Sequence, residues 1–337
     1  MPNKYLILKG CAGLGNRLST LASAIEYARK NKRILYVDWS DGQFGCKKQN
    51  IFYKYFELKN VDYIRSINEI ADYNKCSCYP PFWGENPSAS LYDIYIHDYG
   101  NTVRKFIPLS FCGNLSKPHS YWRRKRHEED DKTGSDIRAL KSLFNKNDIP
   151  FGGRYKNNRK EDILFFADHI PEFLSNIIRE NIFLTNEINT EINNIANNLG
   201  LSKNCIGVHV RMTDKQPVAS LNKLADKLVG ITLEAKLHSP KLFIATDSEA
   251  VENYFKEHFN NVFFTEKWRP DKSGKEMGIH QYAIRSEDYT MAERMLKESI
   301  IDMWLLSKCE YLVWQSNSTF SKIASILKYE PEKTLSW

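Results

Sequence analysis

Ile206-Gly-Val-His-Val-Arg-Met-Thr-Asp-Lys215 is the stretch whose reading decides the fold. A β-branched, apolar run stops abruptly at a short string of charge and hydrogen-bond donors. Such a run reads as a buried strand of a parallel sheet. In open α/β sheets, ligands sit just beyond the carboxyl ends of the strands. Arg211 therefore stands where a guanidinium can clasp a phosphate through two parallel hydrogen bonds. His209 and Asp214 are placed to read polar edges of the same ligand, and Lys215 supplies a second cation. A surface ion pair at a strand end explains the ten residues as well, so their surroundings must decide.

Working outward, the α/β alternation continues. Strands are predicted over 205–211, 241–247 (Lys-Leu-Phe-Ile-Ala-Thr-Asp), 262–265 and 311–314, with helices near 248–258 and 291–307 and from about Thr319. Polar residues close each strand, as in a parallel-sheet domain. At the other end of the chain, Lys4 to Lys9 reads as a strand and Gly10-Cys-Ala-Gly-Leu-Gly15 as a tight loop. A helix follows with Leu18, Leu21, Ala22 and Ile25 on one face, then a strand over Ile34 to Asp38. This is a βαβ unit. Residues 44–120 are rich in tyrosine, proline and glycine with short irregular elements, and Ile170 to Leu199 reads as helical. The basic-then-acidic run Tyr121-Trp-Arg-Arg-Lys-Arg-His-Glu-Glu-Asp-Asp131 reads as a solvated loop, or as a membrane or acceptor contact. The expected fold class is α/β, with domains over 1–185 and 186–337.

The 337 residues suit two domains, and 42% hydrophobic content with 13% aromatic residues excludes general disorder. A net charge of +7 fits an anionic ligand or an anionic membrane surface. Nucleic acid is not an expected partner, since the cations are dispersed and no binding motif occurs. Seven scattered cysteines without a C-x-x-C pair read as reduced thiols, and no zinc site is completed. Neither a signal peptide nor a bilayer-spanning run is legible. The expected location is cytoplasmic, with peripheral association at the inner face of a membrane left open.

Three further strand ends carry chemistry. Gly10, Gly13 and Gly15 follow the order G-x-x-G-x-G, neither the dinucleotide fingerprint nor a P-loop. They permit close approach to an anion at a helix N-terminus, or a turn needing positive φ. Asn16 and Arg17 are expected to point into the same space. In Trp314-Gln-Ser-Asn-Ser-Thr-Phe-Ser321, Ser318 and Thr319 are cap types whose exposed amides suit a phosphate or simply start a helix. Asp247 and Ser248 close another strand. Asp302 lies in an apolar helical run, where an unpaired carboxylate is costly to bury. A ligand N–H edge or a nearby basic residue would offset that cost. Convergence of these strand ends on one rim points to a nucleotide site. The sequon Asn317-Ser-Thr319 falls inside that rim, which argues against passage through a glycosylating lumen.

Together these segments resemble the GT-B fucosyltransferase superfamily, closest to the α-1,6-fucosyltransferases of the N-glycan core and rhizobial nodulation type. The resemblance rests on Gly10 to Leu18 with Ile34 to Asp38, on Gly207-Val-His-Val-Arg-Met-Thr-Asp-Lys215, on Phe243-Ile-Ala-Thr-Asp-Ser248, and on Asp302-Met-Trp-Leu-Leu-Ser through Ser318 and Ala324. It implies two Rossmann-like domains facing across a cleft. The implied reaction is metal-independent, inverting transfer of fucose from GDP-fucose to a glycan or glycolipid acceptor, without any cofactor. It further implies that His209 and Asp302 read guanine and that Arg211 holds the β-phosphate. Ser318 and Thr319 would support the diphosphate, and Lys215 would lie near the sugar. Gly13, Gly15, Asn16, Asp214 and Asp247 complete the expected donor site. Two positions depart from the family pattern: Met212 replaces a second arginine, and Ala219 a glutamate proposed as general base. Asp38 or Asp41 is the substitute base considered. Another nucleotide sugar as donor, or a non-catalytic glycan-binding relative, is the alternative reading.

Overall fold

The computed structural model describes residues 3–10, 12–79, 81–89, 159–166, 173–212, 217–268 and 288–337. Asp214, Lys215 and the charged run at 121–131 lie outside them. The elements in chain order are β1 (Tyr5–Lys9), α1 (Leu14–Lys30), β2 (Ile34–Asp38), α2 (Phe52–Tyr55), β3 (Phe56–Leu58), β4 (Tyr63–Ile64), β5 (Cys78–Tyr79), α3 (Pro81–Glu85) and β6 (Ile163–Phe166). Then come α4 (Ser175–Asn181), β7 (Ile182–Leu184), α5 (Asn186–Leu199), β8 (Cys205–Val210), α6 (Leu221–Glu234), β9 (Lys241–Thr246), α7 (Glu249–His258) and β10 (Val262–Phe263). The chain closes with α8 (Tyr289–Lys308), β11 (Tyr311–Trp314), α9 (Thr319–Lys328) and β12 (Thr334–Ser336).

The strands form two parallel sheets, ordered β4-β2-β1-β6-β5 and β10-β9-β8-β11-β12. Every residue of β1 and of β8 is buried, as expected of strands covered on both faces. Predicted strands run one residue past the observed end in β8 and β9, where Arg211 and Asp247 leave the ladder, and two residues past it in β10, while β11 ends where predicted. The first sheet's strands lie within 5–166 and the second's within 205–336, so the proposed domain division at 185/186 falls between them.

The stretch expected to be helical up to Leu199 is broken. Ile182–Leu184 leaves the helical path and pairs antiparallel with Phe56–Leu58. Asn181 explains the break. Buried, it donates from Nδ2 to the Lys59 carbonyl at 2.7 Å, and its own carbonyl accepts from Lys59 N at 2.9 Å. Those bonds commit the next three residues to an extended partner. Helix resumes in α5, whose Ile188, Ile192 and Ala196 share one face, and it stops at Gly200 in the left-handed conformation (φ +62).

Apolar packing does not stop between the sheets. Leu18 and Leu21 of α1 and Phe52 and Phe56 share one core with Ile300 and Met303 of α8 and Ile323 and Ala324 of α9. The last two helices thus bind the two sheets together and fix how their carboxyl edges meet.

Candidate functional site

Chain order dictates where a ligand can enter each sheet. In the second sheet the chain runs outward from β8 through β9 to β10, then returns to the other flank of β8 with β11. The order reverses between β8 and β11, and their carboxyl ends make the crevice. In the first sheet the same reversal lies between β1 and β6. Helix α1 starts beyond β1 and α9 beyond β11, and these two N-terminal turns touch. A Cβ built on Gly15 would lie 2.6 Å from both Phe320 N and the Thr319 carbonyl carbon. Glycine stands at 15 because another backbone occupies the space. Neither Gly10 nor Gly15 has positive φ, so the turn reading fails there; among the described residues of the loop the left-handed one is Ala12 (φ +62). Two helix N-termini side by side concentrate unpaired amide dipoles on one spot.

The main chain leaving β8 is clamped on three sides. Trp337 Nε1 donates to the His209 carbonyl at 3.1 Å, Arg211 N donates to Gln315 Oε1 at 2.7 Å, and Met212 N donates to Asp247 Oδ1 at 2.8 Å. Asp247 is thus the support of the Arg211 segment. Gln315 is fully buried, donates from Nε2 to Asn317 Oδ1 at 2.7 Å, and accepts on its carbonyl from Ser321 Oγ at 2.9 Å. It welds the two ends of the crevice together. Sequence reasoning selected Ser318 and Thr319 from this loop and passed over Gln315, although a glutamine straight after an apolar strand was the available signal.

Three buried polar atoms around the touching helices have no hydrogen-bond partner in the protein: Asn16 Oδ1, Ser318 Oγ and His209 Nδ1. Ser318 occupies the N-cap position of α9, yet its hydroxyl caps nothing. Ordinary capping therefore does not account for it. His209 stacks on Phe320 at 4.9 Å between ring centroids. Burial, then Arg211 and then Lys267, push its imidazole down to about 3, so it is neutral in the folded protein at neutral pH. Orphaned buried polar atoms are costly, and three around one spot mark a place built for a polar ligand.

Asp302 is not unpaired. Thr265 Oγ1 donates to its Oδ1 at 2.5 Å, and Lys267 Nζ donates to its Oδ2 within a buried ion pair. The nearby base that would offset its burial is therefore Lys267, which the sequence reading did not single out. Among the described residues, no three His, Cys, Asp or Glu side chains gather to hold a metal ion.

On the first sheet's side, the carboxylates are committed. Asp38 accepts from Lys9 Nζ at 2.7 Å on Oδ2 and from Ser40 N at 3.1 Å and Ser40 Oγ at 2.5 Å on Oδ1. Asp41 takes both terminal nitrogens of Arg17, which also donates to Gln43 and the Ala12 carbonyl and lies over the rings of Trp39 and Phe44. Arg17 thus turns inward as a buried structural ion pair rather than pointing with Asn16 toward a ligand. The expected base role for Asp38 has a carboxylate with both oxygens already engaged.

One consequence is a pH effect on folding. In the unfolded chain His209 titrates near its ordinary value of about 6.5, while in the folded chain it resists protonation down to about 3. Between these values the unfolded state binds the extra proton, so stability falls as pH falls. Wild type should lose about 2 kcal/mol from this residue between pH 7 and pH 5. Denaturant unfolding should show a smaller acid loss in His209→Gln; an equal loss refutes the assignment.

The fold has a known counterpart. The family model described as nodulation protein Z (NodZ) matches residues 170–330. This chain resembles NodZ. Nodulation protein Z of Azorhizobium caulinodans is 23% identical over 343 residues, covering 96% of this chain and 89% of that protein. The crystal structure of NodZ α-1,6-fucosyltransferase soaked with GDP-fucose superposes with a TM-score of 0.59 at 21% identity, covering 96% of this chain and 92% of that one. Fucosyltransferase NodZ from Bradyrhizobium gives 0.56 at 22% identity, with coverage of 97% and 94%. The fold is that of the NodZ structures, and the fucosyltransferase likeness read from the strand-end motifs is borne out. The NodZ family match begins just before α4 and takes in β8, β11 and the N-terminal turn of α9, the elements that carry His209, Arg211 and Ser318.

Proposed function

We propose that this protein transfers fucose from GDP-fucose to a glycan hydroxyl, with inversion and without a metal ion. The observation that carries the reading is the cluster of orphaned polar atoms, Asn16 Oδ1, Ser318 Oγ and His209 Nδ1, around two touching helix N-termini. That arrangement suits a nucleoside diphosphate, and NodZ, which it resembles in fold, has been crystallised with GDP and soaked with GDP-fucose. In this reading the amides opening α1 and α9 take the diphosphate, with Gly13, Gly15, Ser318 and Thr319 lining the approach. Arg211 faces the leaving phosphate, and the resemblance implies a role near the reacting sugar for Lys215, which lies outside the described residues. A departing GDP gathers negative charge, and fixed cations and amides aimed at it lower the barrier. With Asp38 and Asp41 both engaged, deprotonation of the acceptor comes late, in a loose transition state whose charge is mostly on the sugar and GDP. The acceptor is a glycan or glycolipid, and the site of action is cytoplasmic. Among the described residues no helix is long and apolar enough to cross a membrane.

The direct test is incubation of the protein with GDP-fucose and a panel of chito-oligosaccharides and N-glycans, following GDP release and product mass. Absence of both GDP binding and turnover would sink the reading. Activity is expected to persist in excess EDTA; loss on chelation with recovery on adding manganese or magnesium would overturn the metal-independent part.

Ser318→Ala separates ligand contact from capping. Loss of a working N-cap costs about 1 kcal/mol of stability. Here the hydroxyl has no protein partner, so thermal unfolding of the free protein should be unchanged. GDP affinity should drop roughly tenfold, the usual effect of removing a hydrogen bond to a charged group. A destabilised variant with unaltered GDP binding would show that the hydroxyl is structural.

A further inference from the structure

A surface helix ordinarily turns charged and polar residues outward, and α6 does not. Of the four large apolar side chains left exposed among the described residues, Val229 (51%) and Leu233 (72%) lie one turn apart on this helix. Its opposite face is ordinary core: Leu224, Leu228 and Ile231 pack with Ile206, Val208 and Val210 of β8. Those strand residues alternate with Gly207, whose face of β8 rests against Leu306 and Cys309 at the end of α8. Helices α8 and α9 carry the core shared with the first sheet. Helix α6 therefore lies on the side of the second sheet away from the first, and its outer face is clear of the crevice.

Ile231 fixes the direction in which the apolar strip points. It is buried, so outward is the opposite side of the helix. At 3.6 residues per turn, Val229 and Leu233 each lie about 20° from that outward line, one on either side. Asp226 and Lys236 lie about 40° from it, again one on either side. Lys236 follows the last turn and keeps this place, since its N–H donates to the Leu233 carbonyl at 3.2 Å. Both charged residues are exposed, and neither has an ion-pair partner among the described residues. Beyond Asp226 the strip is closed by Tyr254, whose hydroxyl donates to Asn222 Oδ1 at 2.9 Å. The open part runs from 226 to 236 and is centred on 231.

We propose that this strip of α6 docks a second copy of the chain, with the two helices antiparallel about a two-fold axis opposite Ile231. Such an axis exchanges 229 with 233 and 226 with 236. Each Val229 meets the partner's Leu233, and each Asp226 meets the partner's Lys236. One apolar centre is thus closed at both ends by opposite charges. A parallel arrangement would set Asp226 on Asp226 and Lys236 on Lys236, which repulsion opposes. An unrelated partner has no need of residues matched about a two-fold, and that match is what selects a second copy as the occupant. The partner sits on the outer side of the second sheet and leaves both crevices open. One helix pair buries less than the roughly 1,200 Å² of a standard interface, so the association is weak and reversible.

The test is sedimentation velocity of the full chain over a concentration series, with thermal unfolding of each variant as the check on folding. Wild type should pass from monomer to dimer with a dissociation constant on the order of tens of micromolar. Leu233→Glu should stay monomeric throughout. Asp226→Lys sets like charges at both ends and should raise the dissociation constant at least roughly tenfold. Adding Lys236→Asp to it should return the constant to within a few-fold of wild type. Aspartate tolerates the left-handed backbone at 236 (φ +51), so the exchange should fold. A wild type that stays monomeric at several hundred micromolar, a dimer indifferent to Leu233→Glu, or an exchange that restores nothing would each overturn the pairing. Adsorption of monomeric wild type to vesicles of anionic phospholipid, lost in Leu233→Glu, would assign the strip to a membrane surface and overturn it as well.

Discussion

Arg211→Ala is expected to lower fucosyl transfer from GDP-fucose at least tenfold, and by about a hundredfold if the guanidinium meets the leaving phosphate out of water. The expected cause is loss of a charge-assisted contact, worth roughly 1.5–3 kcal/mol or more when desolvated. The main chain at this position is what makes the loss specific. With Trp337, Gln315 and Asp247 holding residues 209 to 212, removing the side chain leaves its support in place. Thermal unfolding of the variant should therefore stay close to wild type while turnover collapses. Arg211→Lys should recover only part of the rate, since a point charge does not reproduce a planar fork. A folded Arg211→Ala with near-normal turnover would remove the central assignment.

How far this was legible in the sequence depended on whether a feature is local. Strand β8 and its polar stop could be read from ten residues, because burial on both faces demands an apolar run and solvent or ligand demands its end. The first strand, the glycine loop and α1 were equally local. Asn181, by contrast, breaks the helical pattern through bonds to Lys59, a partner more than a hundred residues away that no period in the sequence reveals. Arg17 was misplaced for the same reason: read as pointing toward a ligand, it has its charge answered by Asp41. For Asp302 the sequence left a ligand edge and a nearby base both open, and only the fold names the base, Lys267. The glycine loop is the instructive middle case. Its small residues were noticed, but Gly15 answers to the backbone of α9 and Gly10 to the buried Arg17–Asp41 pair, neither to a positive φ.

Gly15→Ala is expected to damage both stability and donor binding, by one mechanism. The added methyl carbon would lie 2.6 Å from Phe320 N and from the Thr319 carbonyl carbon, and 2.7 Å from the Thr319 oxygen. These are backbone atoms at the first turn of α9, so no side-chain rotation relieves the overlap; the two helices must separate. Overpacking of this kind costs about 1–3 kcal/mol. The separation falls where Asn16 and Ser318 point their orphaned atoms, so the amides of α1 and α9 should no longer converge on one diphosphate. GDP affinity is expected to fall by at least roughly tenfold, in line with losing preorganised charged hydrogen bonds. Gly230→Ala is the matched control. It adds the same methyl group within helix α6, where nothing lies within 4 Å. It should stabilise the protein by about 0.5–1 kcal/mol through helix propensity alone and leave GDP binding unchanged. Calorimetric titration and thermal unfolding of both variants check the pair. If Gly15→Ala bound GDP like wild type, the contact between the two helix N-termini would be a packing feature only, and the donor site would have to lie elsewhere on the rim.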